Sequence, residues 1–319
     1  MNKRTLIASL IAVSILCLPA MASAGTAVAN LKGPAAQTDQ YGAIFEEVRA
    51  EGDAAVADLL ALLEGPEALA AKVTAMNLLG ELKAKDALEA LAGILETSDN
   101  ASLIVNAARA MGEIGGNRAF KLLADALDGA NANRQADSAT VKKAAILGLG
   151  LTGDKKAVNL LLAELDDYNN DEIVRIYAAG SLGLLGSDAG LDTATAGLDS
   201  ADPSVRLASL RALGLIASAG SEAALDELAG PGSKFVVRNA ARLALVQVKA
   251  ARMGNGEKVG FLKDNLLGNP RASELVAWGT RELARTASKD AKDALKEMAG
   301  KQGPEYSALR RAARIKGRQ

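Results

Sequence analysis

The chain has 319 residues, no histidine, one cysteine, and 37 basic against 38 acidic side chains. With its only thiol, Cys17, inside an N-terminal leader, the rest of the chain lacks a Ser-His-Asp triad, a cysteine nucleophile, a histidine acid-base group and an ordinary zinc site. Alanine and leucine dominate and aromatics are 3%, the vocabulary of many short helices packed closely.

Lys3 and Arg4 precede an apolar run from Leu6 to Leu18, and Ala22-Ser23-Ala24 supplies small residues for cleavage before Gly25. Residues 1–24 therefore read as a secretory signal peptide, since the run is well short of the ~20 residues of a membrane span. Bulky Leu16 beside Cys17 argues against lipidation. The expected product is exported, periplasmic or extracellular, with no disulfide and no later segment apolar enough to cross a bilayer.

Residues 25–40, with Gly25, Gly33 and Pro34, read as a flexible leader. Two amphipathic helices, Tyr41 to Ala50 and Asp53 to Leu63, follow and end at Gly65-Pro66. They are expected to cap the array as an N-terminal unit over 41–68.

From residue 69 to the end, one helical phrase recurs. Its copies are Ala71–Gly80, Leu103–Gly112, Val141–Gly150, Val174–Gly183, Val205–Gly214, Val236–Leu245 and Leu275–Ala284, starting 31 to 39 residues apart. In the clearest copy Asp202 is placed to cap the first turn, Pro203 fits the first helical position, and Gly214 reads as the stop. A second helix follows most copies, as in Asp86 to Leu91, Arg118 to Leu123, Lys156 to Leu161 and Asp290 to Leu295. The longer spacings read as insertions near 131–139 and 252–272, and Leu309 to Ala313 as a truncated last copy. Helix pairs at a period in the thirties bury their apolar faces only against neighbouring pairs, so the fold class is all-α, an α-α superhelix.

The phrase Val-Arg-x-x-Ala-Ala-x-x-Leu-Gly resembles HEAT repeats, and is similar to the short HEAT-like repeats also found in phycobilisome lyases. Val174, Arg175, Ala178, Ala179, Leu182 and Gly183 match it throughout; Val205, Arg206, Leu213 and Gly214 match all but the alanine pair; Val141, Lys142, Ala145, Leu149 and Gly150 come near. The copies at 236–245 and 275–284 lack the final glycine. The resemblance implies that these helices line a concave surface that binds macromolecules.

With the first residue of each copy as position zero, positions 0, 4 and 8 fall on one side at 100° per residue, and positions 3, 6 and 10 on the other. Position 6 reads Asn77, Arg109, Leu147, Gly180, Arg211, Arg242 and Arg281, and position 3 reads Thr74, Asn106, Ala144, Tyr177, Ala208, Asn239 and Trp278, all on one arc. Arginine and aromatic residues are those enriched at binding hot spots, which makes Asn106, Arg109, Tyr177, Arg211, Asn239, Arg242, Trp278 and Arg281 the candidate partner-binding face. Two structural readings compete: the arginines pair with Glu81, Glu113 or neighbouring repeats, and Trp278 fills core. Arg175 and Arg206, each following an acidic helix start, are expected to cap and tie repeats together.

The loop from Asp166 to Glu172 gathers oxygens but lacks the glycine and final glutamate of a calcium hand, so it reads as a solvated turn capping the next helix. Charge is uneven: residues 281–319 carry 11 basic and 5 acidic groups, against 24 and 33 over 25–280. Arg310, Arg311, Arg314, Lys316 and Arg318 read as a soluble, dipole-opposing helix end, or as a contact for anionic lipid or polymer. Export and the acidic body argue against nucleic acid. The expected function is a non-enzymatic scaffold holding a protein or peptide segment, with no catalytic residue, metal or cofactor. A self-associating structural component and a bilin-lyase-like enzyme are the alternatives, and the oligomeric state stays open.

Overall fold

The computed structural model describes residues 24–31, 41–132 and 138–317, so the signal-peptide reading lies almost wholly outside the described residues. In chain order the helices are α1 (Ala24–Asn30), α2 (Tyr41–Glu51), α3 (Val56–Glu64), α4 (Leu69–Glu81), α5 (Leu88–Thr97), α6 (Ala101–Ile114), α7 (Gly116–Ala132), α8 (Ser138–Leu151) and α9 (Ala157–Asp166). The second half holds α10 (Glu172–Leu184), α11 (Leu191–Ala196), α12 (Pro203–Ile216), α13 (Glu222–Ala229), α14 (Phe235–Ala250), α15 (Asn255–Gly268), α16 (Ser273–Thr286), α17 (Lys289–Gly300) and α18 (Ser307–Lys316). Short 3-10 turns lead into α3, α5, α13 and α18.

Two rows result. The even helices α4 to α14 carry the repeated phrase and pack most extensively on one another, while the odd helices pair with them from outside. No helix among the described residues is long and apolar enough to cross a membrane.

Positions 0, 4 and 8 form the core of α12: Val205, Ser209 and Leu213 are all buried. Asp202 caps this helix as its sequence suggests, accepting from the Ser204 amide at 2.7 Å, with Pro203 as its first residue. Gly214 does not stop it. The helix runs on to Ile216, and the left-handed cap is Ala217 (φ 56°).

The recurrent glycine has a packing role instead. A methyl on Gly214 would stand 3.0 Å from the Ala244 Cα of α14, and one on Gly183 would stand 2.6 Å from the Ile216 amide nitrogen of α12. A side chain at either place would collide with the neighbouring helix's backbone, so the glycines let successive even helices approach closely.

Several boundaries differ from expectation. Residues 24–31 are not a flexible leader: α1 packs on α2 and α3 and buries Ala27, Val28 and Leu31, because these apolar residues share one helical face. The remainder of the leader, 32–40, lies outside the described residues. Residues 252–272 are no insertion; they contain α15, the first helix of an ordinary pair, which buries Val259, Leu262 and Leu266. The long spacing there comes from the sixteen residues of α14 and the fourteen of α15. Val236, assigned to the core face, is 59% exposed beside Phe235, while Ala240 and Ala244 carry the α14 contact.

Arg175 and Arg206 do tie neighbouring segments together, but through carbonyls rather than carboxylates. Arg175 donates to the Leu165 carbonyl at the end of α9 and stacks over Tyr168, and Arg206 donates to the Ala201 carbonyl at 3.0 Å. In the 166–172 loop, Asn170 folds back onto Glu164, and Asp171 precedes α10 without a side-chain cap.

Buried side chains fall into two clusters, one from Ala27 to Val248 and a second from Val246 to Ala313. The division lies within α14. Beyond it α14 packs less extensively on α16 than on α12, and α18 reaches α2 at the opposite end of the chain.

Candidate functional site

Of the position-6 residues, Asn77, Arg109 and Arg281 line one cavity and Arg211 reaches across the same side of the array. Arg211 on α12 reaches past α14 to Glu274 at the start of α16, at 2.9 Å. That contact skips one even helix, which requires tight curvature on this face. The curvature brings the two ends together, and Lys316 on α18 lies 3.7 Å from Glu81 at the end of α4.

Where the ends meet they line an open cavity of about 560 Å³. Phe45 and Arg49 come from α2, Asn77, Gly80 and Glu81 from α4, Lys83 from the following turn, and Arg109 and Glu113 from α6. Ala277, Thr280, Arg281 and Arg285 on α16 and Ala312 and Lys316 on α18 complete the wall. Of its charged side chains, Arg49, Lys83, Arg109, Arg281, Arg285 and Lys316 are cationic, and Glu81 and Glu113 anionic.

Several of these charges are satisfied within the protein. Arg109 pairs with Glu113 at 3.2 Å, one turn along the same helix. Arg49 pairs with Glu46 at 2.7 Å, and Lys83 donates to the Glu113 carbonyl. Gly80 admits the Glu113 carboxylate, since a methyl there would stand 2.8 Å from its Oε2. Arg281 differs. Its Nε is buried and has no acceptor among the described residues. Burial, followed by the facing Arg109 and the nearby Arg285 and partly offset by Glu113 and Glu81, lowers its pKa. A guanidinium stays protonated nonetheless, so a half-buried positive charge, offset only in part by Glu113 and Glu81, remains in the wall.

The candidate face is thus divided. Arg109 and Arg281 meet in the cavity, 172 positions apart in sequence. Arg211 is exposed and holds Glu274. Arg242 is a structural staple, donating to the Ala229 carbonyl at 3.3 Å and to Asn269 Oδ1 at 3.0 Å, which ties α13 to the turn before α16. The Asn106 amide donates to Ser102 in its own helix, and Tyr177 packs on the main core. Asn239 is half-buried on α14. Trp278 packs on the second core and borders a smaller cavity of about 170 Å³ with Gln247 and Glu282, which favours the core-filling reading.

Sequence reasoning missed Phe45, Lys83 and Arg285, and it treated Lys316 as part of a soluble tail. The tail helix is docked: Leu309 and Ala313 are fully buried, and Arg310 donates to the Lys301 and Gly303 carbonyls at 2.9 and 3.0 Å. The basic excess after residue 280 was the available signal, and only the curvature shows that it faces α4 and α6.

Paired helices stacked with one row inside define an α-solenoid, here curled until its ends touch. The HEAT-repeat family matches residues 56–139 and 159–246, more than half of the chain. The chain belongs to that family. Among solved structures it is similar to the complex of CpcE and CpcF of phycocyanin lyase from Nostoc sp. PCC7120, with 21% identity, 75% of this chain and 93% of that one covered, and a TM-score of 0.49. No curated protein matches the sequence.

Proposed function

We propose that this chain is an exported, non-enzymatic scaffold of the cell envelope or exterior that holds a protein segment on its inner face. The observation that supports this most is the convergence of position-6 side chains from α4, α6, α12 and α16 on the inner side of a HEAT array. Such arrays present extended concave surfaces, because each repeat adds a small rotation to the last. The basic, small-residue-flanked leader supports export, and the absence of histidine, with cysteine confined to that leader, supports binding over catalysis.

Crosslinking in intact cells tests the reading. A photo-reactive residue replacing Arg211 should give a discrete protein adduct, whereas one replacing Lys121, exposed on the outer helix α7, should not. Equal adducts at both places, or none at Arg211, would overturn the inner-face assignment. Export is checked separately by the N-terminus of the mature protein, expected at Gly25.

A further inference from the structure

The cavity between the two ends has a chemistry that the scaffold reading does not use. Four of its residues carry the argument: Arg281 and Arg285, one turn apart on α16, and Arg109 and Lys83, facing them from the α4–α6 side. Arg109 and Lys83 are already engaged by Glu113. Arg281 keeps a buried Nε without an acceptor, and Arg285 projects from the same helix face into the same cavity. Arg281 is half-buried and Arg285 exposed, and Arg109 and Arg285 set positive charge against Arg281 that Glu113 and Glu81 offset only in part. Guanidinium groups pair best with the planar or tetrahedral oxygens of carboxylate and phosphate.

Size narrows the ligand. About 560 Å³ lies within the range of small-molecule sites, and Phe45, Ala277 and Ala312 supply an apolar wall beside the cations. We propose that the cavity is a binding site for a small anion carrying at least two acidic oxygen groups, a phosphate or polycarboxylate, clamped by Arg281 and Arg285 against the α4–α6 wall. Because its walls come from both ends of the chain, the bound anion also fastens the closed form. The proposal stands whether or not a protein partner occupies the rest of the inner face.

Calorimetric titration of the full mature protein with inorganic phosphate and with citrate, at ionic strength held constant with sodium chloride, tests it. At least one probe should bind with one-to-one stoichiometry and raise the melting temperature, since a ligand selective for the folded state stabilises it. Phosphate binding alone marks a phosphate site, and citrate binding alone a polycarboxylate site. The double variant Arg281→Gln, Arg285→Gln should lose affinity by roughly tenfold or more, each removed group having supplied a charge-assisted hydrogen bond. Should the double variant melt early, Arg285→Gln alone, at an exposed position, should still weaken binding several-fold. Lys292→Gln on α17, away from the cavity, should leave it unchanged. Absence of binding by both probes at millimolar concentration would overturn the proposal, as would equal affinity in wild type and the Arg285 variant.

Discussion

The stack from α3 to α14 and the module from α15 to α18 share one repeat design, yet they pack differently. In the stack, glycine near the end of each even helix from α4 to α12 lets its neighbour approach closely, as Gly183 admits α12 and Gly214 admits α14. At the same register α14 carries Leu245 and α16 carries Ala284. Close approach ends there, the core divides within α14, and the following module turns inward to meet α2, α4 and α6. The end of the glycine series therefore coincides with the division of the core and with closure.

Whether the two cores unfold together is the strongest test of that difference. Leu213→Ala in the first core and Leu283→Ala in the second, both at fully buried sites, should each cost about 2–5 kcal/mol. Urea unfolding followed by both circular dichroism and Trp278 fluorescence reads the outcome, because Trp278 packs against the second core. If the cores are separate cooperative units, Leu283→Ala shifts the fluorescence transition and leaves most of the dichroism in place. Coincident shifts in both variants would show one cooperative array.

The packing glycine comes next in size. Gly183→Ala should destabilise by about 1–3 kcal/mol, because the new methyl meets α12 backbone and the two helices have to part. Gly260→Ala within α15, where a methyl meets nothing within 4 Å, should instead stabilise by about 0.5–1 kcal/mol. The same sign for both in chemical denaturation would break the comparison.

Ala217→Gly should add about 0.5–1 kcal/mol, since Ala217 ends α12 at φ 56°, a conformation glycine adopts without steric cost. Glu81→Gln should change global stability least, by about 0–1 kcal/mol, as expected for a partly exposed pair with Lys316. Its effect should appear in hydrogen exchange, with faster exchange in α18 and little change in α10. Unchanged exchange in α18 would mean that this pair does not hold the closure.

Though it read α15 as an insertion and placed exposed Val236 in the core, sequence by itself determined most of the helical pairs, their period and the core register of the clearest copies. These are local: a 3.6-residue period, an Asp-Pro start and repeated Leu and Ala positions need no distant partner to be read. It also placed Arg109 and Arg281 on one arc, because position along a repeat fixes direction on its helix. It left undecided which arginines would be staples, as Arg242 is, and which would face solvent, as Arg211 does. Tertiary structure alone decided the closure and hence the cavity. The rotation per repeat is small, but accumulated over the array it decides whether residue 281 lies far from residue 109 or opposite it, and that sum depends on inter-helix distances set jointly by glycines and their facing side chains.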